Sequence, residues 1–383
     1  MNLFSKILER FFPTPHPMPA GMYHAMNNSD SGLPYRLHLR LEPDGSGLLI
    51  LNASTLLHLN QTAAECAYHL IMQTPAAEAA ESISRRYNVD LSQAVEDLKD
   101  FKERLNTLIN TPDLDPDTFL GMEREQPYLN LTTPYRLDCA LSYQLSEPDD
   151  ARTTPGDRVK RELSTEEWQT ILKKGWNAGI PHIIFTGGEP TLRPDLPDLI
   201  RAAEENGQVT GLLTDGQRLA ERDFLHMVLQ AGLDHVMILV DPDNEATWEA
   251  LRKTLSEDIF VTAHLTITRH NADQVETVIE RLAGMGVSAL SLSALEDSLK
   301  DTLNDAYQAA AAHHIKMTWD LPVPYSRMNP VSLELQESGE YSEGAGKAWL
   351  YVEPDGDVLP GQGINRPLGN LLTQTWEEIW PPR

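Results

Sequence analysis

Between residues 135 and 320 the apolar positions fall into short blocks separated by longer amphipathic stretches. Runs at Leu137–Leu141, His182–Phe185, Val209–Leu213, His235–Val240, Ile259–Ile267 and Ala289–Leu292 each precede a segment of helical periodicity. Ser164 with Glu167, and Asn271 with Gln274, match the capping-box pattern of a helix start. Gly179, Gly207, Gly232 and Gly286 stand where helices should end. Four of the six strand blocks follow such a glycine within a few residues. This is strand–helix repetition, so the strands should be parallel with right-handed crossovers. Six units predict an α/β domain, a partial TIM-like (β/α)6 barrel over residues 135–320, with functional loops at the C-terminal strand ends.

Upstream, residues 33–110 read as a small α+β domain. Tyr35–Leu41 alternates like a strand, EPDGSG (Glu42–Gly47) is turn-like, and Leu48–Leu51 is a second short strand. Asn60 caps a first helix with Ala63, Ala67, Leu70 and Ile71 on one face. A second helix covers Ala76–Tyr87, and a third carries a stripe of Ala94, Leu98, Phe101, Leu105 and Leu108. Two strands and three helices make a winged-helix-like plan. Residues 111–134 read as a linker and 321–383 as a short C-terminal extension. In residues 1–20, Leu3, Phe4, Ile7, Leu8, Phe11 and Phe12 fall at helical spacing before Pro13, Pro15, Pro17 and Pro19. That predicts an amphipathic helix on a Pro-rich tether, able to fold back, dock on a partner or touch a membrane surface, the last disfavoured by its mixed charge.

The net charge of −26 over 383 residues argues against nucleic acid, which needs a basic face. No apolar run approaches the roughly 20 residues of a membrane span, and the N-terminus is too charged for a secretory signal, so the cytoplasm is the expected compartment. Cys66 and Cys139 are the only cysteines. Two thiols supply neither a disulfide framework nor a three-cysteine iron–sulfur site. Cys66 and Cys139 both read as core residues. No nucleophile elbow, Walker loop or paired-histidine metal motif occurs. No metal site and no catalytic residue is assigned.

The motifs carry a resemblance. TGGEP (Thr186–Pro190) directly follows an apolar strand, Thr214-Asp215-Gly216 follows the next, and Asp241 ends the fourth. The chain resembles the radical SAM superfamily, and in particular its peptide-modifying, SPASM-type members. The pattern from Leu59 to Tyr68 resembles the peptide-recognition domain of pyrroloquinoline quinone biosynthesis, and Trp349–Trp380 resembles a SPASM-type extension. By that resemblance Gly187, Gly188, Glu189, Pro190 and Asp241 are the cofactor-binding candidates, the first four at the strand end that would meet the amino group of S-adenosylmethionine. The family's CxxxCxxC loop falls on Leu145, Asp149 and Arg152, and an auxiliary-cluster cysteine falls on Gly361. The rest of the loop, to Leu163, reads as solvated and mobile.

These substitutions suggest a cluster-less homologue, a pseudoenzyme that binds a peptide or protein as partner or scaffold. No cofactor is expected on this reading, S-adenosylmethionine is left open, and a [4Fe–4S] cluster is not expected. Three alternatives stand beside it: an enzyme using S-adenosylmethionine or another metabolite without a cluster, a radical SAM enzyme with unusual ligands, and an accessory or assembly subunit of a larger complex.

Overall fold

A computed structural model of the chain describes residues 17–27, 35–51, 55–111, 131–146, 153–331, 333 and 342–381. The Leu3–Phe12 helix, most of the linker, and Asp149 and Arg152 lie outside them. The chain divides into two units, Met1–Leu129 and Asn130–Arg383.

The first unit holds a four-stranded antiparallel sheet in the order β1 (Gly21–Asn27), β2 (Tyr35–Leu41), β3 (Gly47–Leu51), β4 (Thr55–Leu59). Helices α1 (Gln61–Ile71), α2 (Ala76–Tyr87) and α3 (Leu91–Asn110) follow. Leu37, Leu39 and Leu41 alternate on one face of β2, and with Leu49, Leu51, Leu57 and Leu59 they pack against Ala64, Ala67, Ile71 and Leu105. The period-2 pattern thus meets the helical one in a single core. Asn60 caps α1 by accepting from the Ala63 amide at 2.9 Å. Glu65, fully buried on α1, forms an ion pair with Arg86 at 2.8 Å and accepts from the Ser82 hydroxyl at 2.8 Å, tying α1 to α2. The sheet has two strands more than the sequence pattern predicted. β1 contains GMYHAMN, whose apolar residues are mostly small or flexible, and β4 is only five residues long.

The second unit is built on a nine-stranded sheet. β5 (Arg136–Ser142), β6 (His182–Gly187), β7 (Val209–Thr214), β8 (His235–Leu239), β9 (Phe260–Ile267) and β10 (Ala289–Ala294) are parallel neighbours in chain order. Helices α4 (Thr165–Asn177), α5 (Leu196–Asn206), α6 (Arg222–Gln230), α7 (Glu245–Thr254) and α8 (Val275–Met285) connect them, and α9 (Lys300–Ala312) follows β10. The six predicted strand blocks coincide with these strands. Beyond β5, β11 (Trp349–Val352) adds a parallel strand, and β12 (Asp357–Leu359) and β13 (Gly369–Asn370) extend the sheet antiparallel before a last turn, α10 (Trp376–Ile379).

Residue alternation assigns the two faces of this sheet. Leu137, Cys139 and Leu141 on β5, with Ile183 and Phe185 on β6, join the helix-facing core around Trp168 and Trp248. Ile184, Leu213 and Met237 form a separate cluster on the inner face. The predicted capping box at Ser164 and Glu167 is present. The one at Asn271 is not: α8 starts after Gln274. Asn271 instead donates to Thr266 O at 3.0 Å and accepts from the Thr268 amide at 2.8 Å, bracing the end of β9. No helix among the described residues is long and apolar enough to cross a membrane.

Candidate functional site

The C-terminal ends of β5, β6 and β7 are bonded to one another through the glycine motif. Gly187 has φ +127°, and a Cβ there would stand 2.2 Å from Ser142 O. At Gly188 a Cβ would stand 2.4 Å from Gln144 O. The missing side chains let the Gly188 amide donate to Ser142 O at 2.9 Å and the Glu189 amide to Gln144 O at 2.8 Å. Pro190 opens a single 3-10 turn, Pro190–Leu192, where its fixed φ suits a helical start and its missing N–H loses nothing.

Glu189 is 2 % exposed and points back into the protein. Its Oε1 accepts from the Thr191 amide at 2.9 Å, the Thr191 hydroxyl at 2.6 Å and the Thr214 hydroxyl at 2.8 Å. Its Oε2 accepts from the Asp215 amide at 2.7 Å. Burial first, and the Asp215 charge second, push this carboxyl up, against the pull of those hydrogen bonds. Gly216 closes the next turn at φ +78°, with Ile238 too near for a Cβ.

Four of the five candidates, Gly187 to Pro190, are therefore contiguous at one strand end. Asp241 lies two strands away, after β8, where its carboxylate accepts from the Asp243 amide at 3.1 Å and its carbonyl from Asn244, one residue before α7. The structure does not bring it to the glycine motif.

The loop after β5 departs from the solvated loop expected of it. Ser142 donates to Glu162 at 2.6 Å, Arg158 pairs with buried Glu353 at 3.0 Å, and Tyr143 donates to the same carboxylate at 2.9 Å. Leu163 N reaches Pro354 O at 2.8 Å. Residues 153–163 are thus packed onto the C-terminal hairpin. Arg193 adds a further clamp, bidentate on Asp195 and donating to the carbonyls of Leu141 and Leu163.

Sequence reasoning missed the polar inner wall. On β9, Thr262, His264 and Thr266 share the inner face while Val261, Ala263, Leu265 and Ile267 join the helix-facing core. The His264 ring contacts the hydroxyls of Ser291, Ser293 and Thr266 at 3.0 to 3.1 Å. Burial holds it neutral, its pKa lowered to about 4. Below, His182 and His235 face each other at 2.8 Å, and Arg136 pairs with Asp138 at 2.7 Å. The strict apolar–polar alternation TAHLTI was the available signal. Thr186, on the inner face beside Ile184, has a buried hydroxyl with no partner. A cavity of about 360 Å³ is lined by Asp138, Thr266, Ser293, Leu321, Trp349 and Gln362 among others.

A parallel barrel-like sheet whose strand-end loops are tied by a GGEP turn, with a polar lumen beneath, is the architecture of a SAM-radical-type α/β domain. Residues 139–293 match the family model of the Radical SAM superfamily. It is homologous to PqqA peptide cyclase from Streptomyces rochei, 28% identical over 257 residues that cover 60% of this chain and 70% of that protein. In fold it matches Streptococcus suis SuiB bound to the precursor peptide SuiA, with a TM-score of 0.57 at 15% identity over 93% of this chain and 88% of that one. SuiB bound to S-adenosylmethionine matches with a TM-score of 0.56 at 15% identity, again over 93% and 88%.

The expectation of no cofactor is corrected by these findings. The matched superfamily is that of S-adenosylmethionine and iron–sulfur chemistry, and a structure aligned over nearly the whole chain holds S-adenosylmethionine. The residues present fit S-adenosylmethionine: Thr186 offers a buried hydroxyl with no partner among the described residues, and Thr266 and Ser293, whose hydroxyls contact His264, line a cavity of about 360 Å³. They do not supply three thiolates. Cys139 is fully buried and faces the helices rather than the barrel interior, and Cys66 lies in the other unit. Burial pushes both thiols up, Cys66 to about 12. No chemical step is therefore derived through a cluster.

Proposed function

We propose that this chain is a peptide-binding member of the peptide-modifying radical SAM family, acting as a partner or scaffold in peptide modification. Residues 33–110 form the recognition module, 135–320 the barrel and 321–383 a short SPASM-like extension. The observation that carries this reading is the edge of the first sheet. Among the described residues β4 pairs only with β3, through Leu51↔Thr55 to Gly47↔Leu59. Its Leu57 and Leu59 are locked into the core, so the strand is held in place for a partner strand to join. An extended peptide adding to such an edge gains main-chain hydrogen bonds without remodelling the protein. A relative named for cyclising the peptide PqqA, and SuiB solved with its precursor peptide, support the partner class. The cytoplasm and the absence of a nucleic-acid partner belong to the same proposal, resting on charge and composition.

The test uses the alternation of a strand edge. Of two adjacent amides in β4, one points toward β3 and the other outward. Proline placed singly at the half-buried Thr55 and Leu56, both outside the core cluster, therefore removes an inward donor in one variant and an outward donor in the other. The variant that keeps its melting temperature should lose at least tenfold in affinity for a fluorescein-labelled PqqA peptide, the peptide named for the homologous cyclase. Unchanged affinity in that folded variant would sink the β4-edge reading.

A further inference from the structure

The lumen of the barrel is occupied by the chain itself. After α9, residues 316–318 run beside β10, Leu290 donating to Lys316 O at 2.8 Å and Thr318 to Leu290 O at 2.9 Å. This would be a seventh parallel strand, but Pro322 and Pro324 follow. Two prolines in three residues leave too few N–H groups for a ladder, and the segment leaves the sheet. Asp320 O accepts from Arg136 at 2.6 Å, at the start of β5. Leu321 packs against Ile184, Leu213 and Met237, the inner-face cluster. The Tyr325 amide then donates to Gly187 O at 2.8 Å, at the far end of β6. Tyr325 is 2 % exposed, its ring edge-on to Tyr143 at 5.5 Å.

We infer that Asp320–Tyr325 is a self-occluding strap: it holds the barrel interior and caps the carbonyl of Gly187, and it must withdraw before a ligand can enter the strand-end mouth. Ligands of parallel barrels bind at the C-terminal strand ends, and this strap ends there. Two features make it removable. Two of its six residues are prolines, and of its four amides Tyr325 donates to Gly187 O, a sparser set than the full ladders of the strands around it. Further ties come from side chains that can keep solvent partners once released, among them Asn329 and Gln362 donating to Val323 O at 2.6 and 2.8 Å and Ser342 donating to Asp320 Oδ1 at 2.8 Å. The strap forms one wall of the 360 Å³ cavity. Thr186, with no partner in the strapped state, is the polar atom that entry would satisfy. The inference concerns the barrel alone and stands independently of peptide binding at β4.

The probe is S-adenosylmethionine itself, titrated calorimetrically into the full chain and into Leu321→Ala, which removes the strap's apolar anchor. The variant should bind at least tenfold more tightly than wild type. Because Leu321→Ala could also loosen the barrel, hydrogen exchange on the wild-type chain supplies a second reading. Saturating S-adenosylmethionine should speed exchange of the Tyr325 amide at least tenfold while β6 amides stay protected. Equal affinity of the two proteins, binding by neither, or a Tyr325 amide equally or better protected with ligand overturns the strap. Peptide affinity at β4 is measured without S-adenosylmethionine, so the two readings fail separately.

Discussion

Glu189 separates a structural from a ligand-binding account of the glycine motif, and one atom suffices. Glu189→Gln keeps the shape and replaces one oxygen with an NH2 group. The carboxylate serves two fixed backbone donors, Thr191 N on one oxygen and Asp215 N on the other, plus two hydroxyls that can rotate. Whichever way the amide is turned, its NH2 confronts one of those N–H groups. A buried donor without an acceptor costs about 1–3 kcal/mol. Against this, the substitution removes a carboxyl that burial and Asp215 already disfavour as an anion. The balance depends on pH. A carboxyl raised in the folded state contributes stability that is complete below its ordinary value of 4.5 and is lost as pH rises through the folded value. Glutamine has no such term. Urea unfolding followed through the buried tryptophans Trp168 and Trp248 should show Glu189→Gln less stable by about 1–3 kcal/mol near pH 5. The gap should close as pH rises. Parallel stability profiles from pH 5 to 9, or a loss below about 0.5 kcal/mol at pH 5, would refute the reasoning. A carboxylate held free for a ligand amine predicts that second result.

Two further predictions rest on buried titratable groups. His235 and His264 are lowered to about 4 by burial, with the Arg136 charge adding for His235. The unfolded chain takes up those protons near 6.5 and the folded chain does not, so stability should fall as pH drops from 6.5 toward 4. Replacing His264 by Gln should remove a share of that acid loss on the order of 3 kcal/mol, seen as a flatter profile in the same unfolding assay. Both thiols should resist iodoacetamide at pH 8 in the native protein and react fully in 6 M guanidinium chloride, by mass spectrometry, since both are buried and raised; native labelling of Cys139 would contradict its helix-facing position.

The barrel was legible because four of its six strands follow a helix-ending glycine. A capping serine or a C-terminal glycine flanks the blocks, and burial on the helix side makes one face continuously apolar. Gly207 and Gly286 do end α5 and α8 in the left-handed conformation. The two extra strands of the first sheet had no such boundaries. Their pairing is decided by neighbours distant in sequence, and strand propensity is mostly a statement about such neighbours. Asn271 satisfied a capping pattern, yet buried β9 carbonyls claimed its amide first. The loop at 153–163 read as solvated from its charges, whereas Glu353, some 200 residues away in sequence, supplies the buried partner that orders Arg158. Spacing along the chain does not reveal a pair of that separation.

The same logic limits what the GGEP turn says about ligands. Gly187 and Gly188 are required because β5 and β6 end within hydrogen-bonding reach, and any Cβ would strike Ser142 O or Gln144 O. Glu189 is required because β7 presents the Asp215 amide and the Thr214 hydroxyl to it. Each residue of the motif is accounted for by the protein's own backbone, so the motif would persist under selection for folding alone. Ligand binding has to be read from groups that the fold does not use. Thr186 is such a group, one residue before the motif and on the inner face of the sheet. Gly187 O is its counterpart, an acceptor served by the strap rather than by a strand. Whether these two atoms are released together is what distinguishes a barrel that keeps a ligand mouth from one whose interior has become core.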